Sequence, residues 1–353
     1  MTNIRVIQER SAFLKLRKTW EDLYWKNEEP SPFMSWEWVS SWIEIYDQPI
    51  NFFAIVVEVD AHVRGILPLR KSMKQLLGVS RVPVLEMLQS CARTCPDHLG
   101  ILCDPQELKE MTGLIFDFLK GSAEWQLLDL KEWGQPSALT GIAYGKIWNL
   151  RLPETFEQFV TTLRSEKRSK LKRLRKRYEK EGNLSLQVVE GGQEMLQQMD
   201  AFVALHASRW GDANPSTFGE AFSRKVHKAF IEKAAKSSPV IACRMVLLKN
   251  SDGLVAGVYG MQIKKVFYYY QMARKIDPQF SGAGQLIMGH AIETALKNGS
   301  RRFDFLRGDE PFKAEWTADF YFEQRILLAQ NSVVAKTYVL LQNVKANIRR
   351  RLQ

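Results

Sequence analysis

Long apolar runs, cysteines and hydrolase signatures are all scarce in this 353-residue chain, and each scarcity removes a class of protein. No stretch reaches the roughly 18 uninterrupted apolar residues of a membrane-spanning helix. Met1 to Leu16 carries charges throughout, unlike the apolar segment of an export signal. The expectation is a soluble chain that stays in the cytoplasm. Cysteine is limited to Cys91, Cys95, Cys103 and Cys243, too few for a disulfide scaffold and suited to a reducing compartment. Cys91, Cys95, His98 and Cys103 lie close in sequence, but their spacing departs from paired zinc knuckles, so buried thiols are expected rather than a metal site. The absence of a G-x-S-x-G elbow argues against a Ser-His-Asp hydrolase. Without G-x-G-x-x-G, or a Walker loop ending in Lys-Ser/Thr, a Rossmann dinucleotide site and an ATPase are disfavoured.

What is present is enough to build cores and to attract anions. Apolar residues make up 45% and aromatics 11%, sufficient for full cores, and the length corresponds to about two domains of ordinary size. The net charge is +11, and the segment Arg164 to Lys180 supplies +8 of it, ten basic residues against Glu166 and Glu179. Leu171, Leu174 and Tyr178 form a thin apolar stripe, so this segment reads as a helix docked along one narrow face. Three roles compete for it: a solvated helix, a rim for an anionic acceptor, a cofactor or a membrane surface, and a nucleic-acid helix. Tyr178 is its only aromatic, so nucleic acid is disfavoured as a partner. The tail from Lys345 to Arg351 adds a second basic helical end, and an anionic membrane surface suits both segments.

Sequence pieces recur at an offset of roughly 180 to 190 residues, as a duplicated unit requires. Trp25-x-x-x-x-Pro30-Ser31-x-Phe33 returns as Trp210-x-x-x-x-Pro215-Ser216-x-Phe218. The hairpin pattern Phe52 to Val59 and Val63 to Leu69 returns as Val240 to Leu248 and Leu254 to Met261. Two similar α/β modules are expected, an N-terminal one over 1–152 and a C-terminal one over 153–330, followed by a basic helix over 331–353.

The densest chemistry lies between Asp277 and Trp316. Gln279-x-x-Gly282-x-Gly284 stands between the strand-like run Val266 to Met272 and the helical run Leu286 to Leu296. Glycines there let backbone approach a ligand, and the open N–H groups with the helix dipole favour a pyrophosphate. The turn resembles the Q/R-x-x-G-x-G/A signature by which GNAT acyltransferases hold the pyrophosphate of acyl-CoA. Downstream, Phe303-Asp-Phe-Leu-Arg-Gly-x-x-x-Phe-Lys-x-x-Trp316 resembles the closing motif of the CelD/BcsL family of GNAT-type acetyltransferases, with Phe312-Lys313 where that family has Tyr-Lys. Gly65 to Leu69, Asp97 to Gly100 and Leu205-His206-x-x-Arg209-Trp210 are further family-like pieces. The family is itself similar to the Fem-type aminoacyltransferases, which build two GNAT-like domains from one polypeptide and use charged tRNA.

The resemblance implies an α/β (α+β) fold of two tandem GNAT-like domains with mixed sheets flanked by helices. It implies an acyltransferase using acetyl-CoA or another acyl-CoA, held by Gln279, Ser281, Gly282, Ala283 and Gly284. The acceptor it implies is a sugar or polysaccharide-related amine or hydroxyl, in cellulose or exopolysaccharide production. Acyl transfer from a thioester requires positioning, a proton acceptor and an oxyanion donor. Asp304 at a strand end and His206 are the candidate bases. Lys313 and Arg307 are cations for an anionic acceptor or a polarised carbonyl, with Asp309 to orient one of them. Arg209 shares a helix face with His206, and with Trp210 and Tyr270 completes the candidate acceptor wall. A Fem-type aminoacyltransferase and a noncatalytic polysaccharide-synthase subunit are the rival readings.

Overall fold

The computed structural model describes residues 1–90, 93–136, 141–180, 184–208, 217–237 and 241–352. In chain order these form β1 (Thr2–Ile7), α1 (Arg10–Leu14), α2 (Arg17–Tyr24), α3 (Trp36–Ile45), β2 (Ala54–Val59), β3 (His62–Leu67), β4 (Leu69–Leu76) and β5 (Ser80–Met87). There follow β6 (Leu102–Cys103), α4 (Leu108–Gly121), β7 (Leu127–Trp133), β8 (Ile142–Arg151), α5 (Phe156–Thr162), α6 (Ser165–Lys180), β9 (Ser185–Glu190), α7 (Gly192–Ala207) and α8 (Ala221–Lys236). The rest is β10 (Ile241–Asn250), β11 (Gly253–Ile263), β12 (Val266–Arg274), α9 (Ala283–Lys297), β13 (Arg302–Arg307), β14 (Phe320–Ala329) and α10 (Val333–Leu352). Two compact units result, residues 1–146 with 322–353, and residues 147–321.

In the first unit β1, β2, β3 and β6 form an antiparallel sheet. A second group runs β4-β5-β7-β14, in which β5 and β7 are parallel and the other pairs antiparallel. Ser35 caps α3 by accepting the Trp38 N–H, and the buried rings of Phe13, Trp20, Trp36 and Phe52 pack together nearby. Arg325 of β14 grips Asp129 of β7 through both carboxylate oxygens, at 2.6 and 2.9 Å. Helix α10 buries Ala335 against Leu76, Val82, Val84, Leu127 and Leu327, with Val334, Tyr338 and Val339 alongside.

The second unit orders its strands β8-β13-β12-β11-β10-β9, with β12 and β13 parallel and the rest antiparallel. Helices α7 and α8 pack near His206, His227, Phe218 and Tyr259. Helices α5, α6 and α9 share another core with Val246, Val258, Phe267, Tyr269 and Met272. The parallel ladder covers only Val266/Arg302, Phe267/Phe303 and Tyr268/Asp304. The first unit has the same device, a three-pair parallel ladder between β5 and β7 that follows an antiparallel hairpin and brackets a helix.

Each unit closes on a strand that is distant in sequence. β7 is followed by β8 but pairs with β14, while β13 is followed by β14 but pairs with β8. The divisions therefore fall inside β8 and β14, where the sequence suggested 152 and 330. Helix α10, expected as a separate segment, belongs to the first unit. Local periodicity locates a strand but does not say which ladder it joins.

Candidate active site

Asp277 opens the glycine turn by accepting the Gln279 N–H at 2.8 Å, which fixes a short 3-10 turn over Pro278–Phe280. Gly282 then adopts a left-handed conformation, φ +88°, as the N-cap of α9. A side chain there would be strained, and its Cβ would lie 2.4 Å from Leu174 Cδ2, so only glycine fits. No side chain caps this helix end, and the first N–H groups of an α-helix have no intrahelical acceptor. The positive end of a 15-residue helix thus faces outward at Gly282–Gly284.

The basic helix α6 lies across that opening. It buries Leu171, Leu174 and Tyr178, the stripe read from the sequence, together with Lys167. Leu171 Cδ1 comes within 3.0 Å of where a Cβ on Gly289 would sit, so this glycine lets α6 and α9 approach closely. Arg177 donates to the Gln279 carbonyl at 2.9 Å and the Tyr178 hydroxyl to the Ser281 carbonyl at 3.3 Å, fastening the helix to the turn. Lys167 meets Glu315 at 2.6 Å, Glu315 also accepts from Gln285 at 2.9 Å, and the Lys167 ammonium sits 4.1 Å from the Trp316 ring centre. Burial pushes the Lys167 pKa down, against the opposing pull of Glu315.

Between these elements is a cavity of about 430 Å³ lined by Lys170, Arg173, Leu174, Arg177, Met272, Arg274, Ser281, Gly282, Gly284, Gln285, Phe312 and Trp316. Four lining residues are cationic and none is acidic. Lys170 and Arg173 make no hydrogen bond or ion pair among the described residues, so their charge is available to a ligand. Arg274 arrives by a bulge. Tyr259 pairs with Gln271 and Gly260 with Tyr269, leaving Tyr270 as the extra residue in β12. Side chains alternate along a strand, so one inserted residue moves Met272 and Arg274 onto the face already held by Phe267 and Tyr269. Arg274 Cδ and Met272 Cε accordingly lie 2.8 and 3.7 Å from a Cβ placed on Gly284. The lining combines apolar side chains (Leu174, Met272, Phe312, Trp316) with the four cations, which suits a ligand that carries both phosphates and a less polar arm.

Of the residues selected from the sequence, Ser281, Gly282 and Gly284 line this cavity. Ala283 is buried beneath it, and Gln279 contributes its carbonyl to Arg177 from an exposed position. Asp304 and Lys313 lie elsewhere, and they converge on the backbone of one residue, Leu306. Asp304, fully buried, accepts the Leu306 N–H at 2.8 Å, while Lys313 Nζ donates to the Leu306 and Arg307 carbonyls at 3.3 and 3.0 Å and pairs with Glu310 at 2.9 Å. Leu306 is held at φ +53° and Gly308 at φ +136°, so the two side chains fix a strained exit from β13. Arg307 is half-buried at that strand end and Asp309 exposed beyond it; neither lines the cavity.

His206 sits near the end of α7, its Nε2 3.1 Å from Gln271 Oε1, among Phe202 and Phe218. Tyr270 packs with Phe218, His227 and Tyr259. The bulge that aims Arg274 at the glycine turn aims Gln271 at His206, so these two groups of residues occupy opposite faces of β12. Arg209 and Trp210, and most of the second copy of the Trp-Pro-Ser repeat, fall outside the described residues. Sequence reasoning missed Lys170, Arg173, Arg177, Arg274, Gln285 and Trp316 as site residues. The signal for three of them was present, since Lys170, Arg173 and Arg177 recur at i, i+3 and i+7 beside the apolar stripe.

Residues 165–314 match the family model described as Acetyltransferase (GNAT) domain. The match opens on the first residue of α6 and runs just past Lys313, so it contains the whole cavity except Trp316. No curated protein matches the chain in sequence. Among solved structures, FemX aligns at 11% identity over 95% of this chain and 99% of its own, with a TM-score of 0.60. The C-terminal domain of a putative lysylphosphatidylglycerol synthetase from Agrobacterium fabrum aligns at 11% identity over 94% and 96%, TM-score 0.54. A protein of unknown function from Bacteroides thetaiotaomicron aligns at 15% identity over 93% and 100%, TM-score 0.53. Likeness at such identity shows the fold, an α/β architecture of the GNAT kind with mixed sheets flanked by helices.

Proposed function

We propose that the cavity at Gly282–Gly284 holds the diphosphate of an acyl-CoA and that the protein transfers its acyl group to an amine or hydroxyl. The observation that carries this reading is the meeting of an uncapped helix N-terminus with Lys170, Arg173, Arg177 and Arg274 in one cavity that has no acidic lining. Backbone N–H groups with a helix dipole and converging cations are the physical requirements of a polyphosphate site. When bound, CoA would supply an activated thioester, whose C–S bond breaks as the acceptor's new bond to the acyl carbon forms and the acceptor proton passes to the thiolate.

The chain's own contribution is orientation. Lys170, Arg173 and Arg177 would fasten the anionic end against α9, and Phe312, Trp316 and Met272 would line the less polar arm. Asp304 and Lys313 act as positioning residues on this reading, because they set the course of the backbone leaving β13. A sugar or polysaccharide-related acceptor follows from the resemblance of Phe303 to Trp316 to the CelD/BcsL motif.

One observation favours a second reading. Lys172, Lys176 and Lys180 add exposed charge to the same helix, a surface that suits a longer polyanion such as the charged tRNA of the Fem-type enzymes. Calorimetric titration with acetyl-CoA and, separately, with aminoacyl-tRNA tests both. Saturable 1:1 binding of acetyl-CoA is expected; heat from tRNA alone would replace the first reading by the second.

A further inference from the structure

The outer face of α10 carries an apolar stripe that nothing in its own unit covers. Val333, Leu340, Leu341, Val344 and Ile348 are all exposed, Leu340 to 62% and Ile348 to 53%. At about 100° per residue these five fall within an arc of roughly 100°. Ala335, Tyr338 and Val339, which pack with Leu76, Val82 and Val84, lie on the opposite side, and Val334 joins the same core from beside the stripe's edge. The helix is therefore amphipathic twice over, with one apolar face in the core and one in solvent.

Two lysines flank the outer stripe. Lys336 and Lys345, both exposed, fall about 40° beyond its two edges on the helical wheel. Arg349, Arg350 and Arg351 follow, and residues 333–353 contain five basic side chains and no acidic one. Beside the first turns of α10 is the β4–β5 hairpin, whose Leu76 and Val82 meet the helix in the core. Its tip exposes Leu77 and, to 74%, Val79, with Arg81 following and Lys74 preceding.

We infer that α10, with the β4–β5 tip, seats the protein on an anionic lipid surface. An exposed apolar stripe edged by lysines, in a segment whose sequence is free of acidic residues, is the pattern of a helix lying in the plane of a membrane interface, where apolar side chains enter the headgroup boundary and cations meet anionic lipid. No helix among the described residues is long and apolar enough to cross a membrane, so the contact is peripheral. The inference is independent of the acyl-CoA site, since no cavity-lining residue belongs to this helix or hairpin.

The test is co-sedimentation of the full chain with vesicles of phosphatidylcholine, with and without phosphatidylglycerol. Binding to the anionic vesicles alone is expected, weakened by 0.5 M salt. The variant Leu340→Ser/Val344→Ser/Ile348→Ser, all at exposed positions, should lower that binding at least roughly tenfold while leaving the circular dichroism spectrum and CoA affinity unchanged. Lys345→Glu should weaken it without touching the stripe. Equal sedimentation by wild type and the triple variant, or no preference for phosphatidylglycerol, would overturn the inference. A concentration-dependent dimer without lipid that the triple variant abolishes would assign the face to a second copy of the chain and equally overturn it.

Discussion

Replacing Gly284 by Asp separates donor binding from folding, because the two should respond in opposite directions. Gly284 is the second residue of α9 and has an ordinary helical backbone, so a side chain is conformationally acceptable there. Its Cβ would meet Arg274 Cδ at 2.8 Å, so the Arg274 side chain must shift to admit it. A carboxylate in the first turn complements the helix dipole by about 0.3–1 kcal/mol, and losing a glycine from a helix adds up to ~1 kcal/mol. Folding stability should therefore hold or rise. A ligand diphosphate meets the reverse situation. At a separation of about 5 Å and an effective dielectric constant of about 20, each like-charge pair costs roughly 3 kcal/mol. That corresponds to about a hundredfold loss of affinity, to which capture of Arg274 by the new carboxylate would add. Calorimetry with CoA and thermal unfolding of the same preparation measure both effects, and Gly284→Asn, similar in shape and uncharged, isolates the charge. A folded Gly284→Asp variant that binds CoA within threefold of wild type would refute the reasoning.

Lys170→Ala and Arg173→Ala should each weaken CoA binding roughly fivefold, flatten its salt dependence and leave the unfolding midpoint in place, since neither side chain bonds to the described protein. Asp304→Ala should cost about 1–3 kcal/mol of stability by stranding the buried Leu306 N–H, with CoA affinity retained; combination with Lys313→Met should be non-additive in denaturant unfolding, because both act on one turn. Burial lowers the pKa of His227 to about 3, below the unfolded value near 6.5. The unfolded chain then binds the extra proton between these values, so stability is complete above about pH 6.5 and falls as the pH drops toward about 3, by on the order of 5 kcal/mol in all. Replacement by Gln should remove that part of the pH dependence in chemical denaturation series, and an unaltered slope would contradict it.

Local features were legible wherever one segment carried its own signal. The glycine turn, the helix after it, the strand Phe303–Leu306 and the repeated hairpins all follow from turn chemistry and period. The basic helix appeared close to its predicted ends. What stayed hidden depends on contacts between separate elements rather than on the pattern within one. That α6 lies against α9 required the fit of Leu171 and Leu174 against Gly289 and Gly282, which no pattern within α6 encodes. A single bulged residue, Tyr270, decides that Arg274 faces the cavity and Gln271 does not. Asp304 was read as a candidate base and Lys313 as a cation for the acceptor from residue type and position alone, whereas their contacts with the Leu306 and Arg307 backbone and with Glu310 come from the turn that follows β13. The pairing of β14 with β7 and of β8 with β13 was equally invisible, because a strand's apolar pattern is the same in either ladder.

The most direct measurement is a crystal structure of the full chain grown with acetyl-CoA. Diphosphate density is expected against the backbone N–H groups of Ala283 and Gly284, within reach of Arg173, Arg177 and Arg274. Well-ordered protein with acetyl-CoA bound at some other place, or with none bound at saturating concentration, would contradict it.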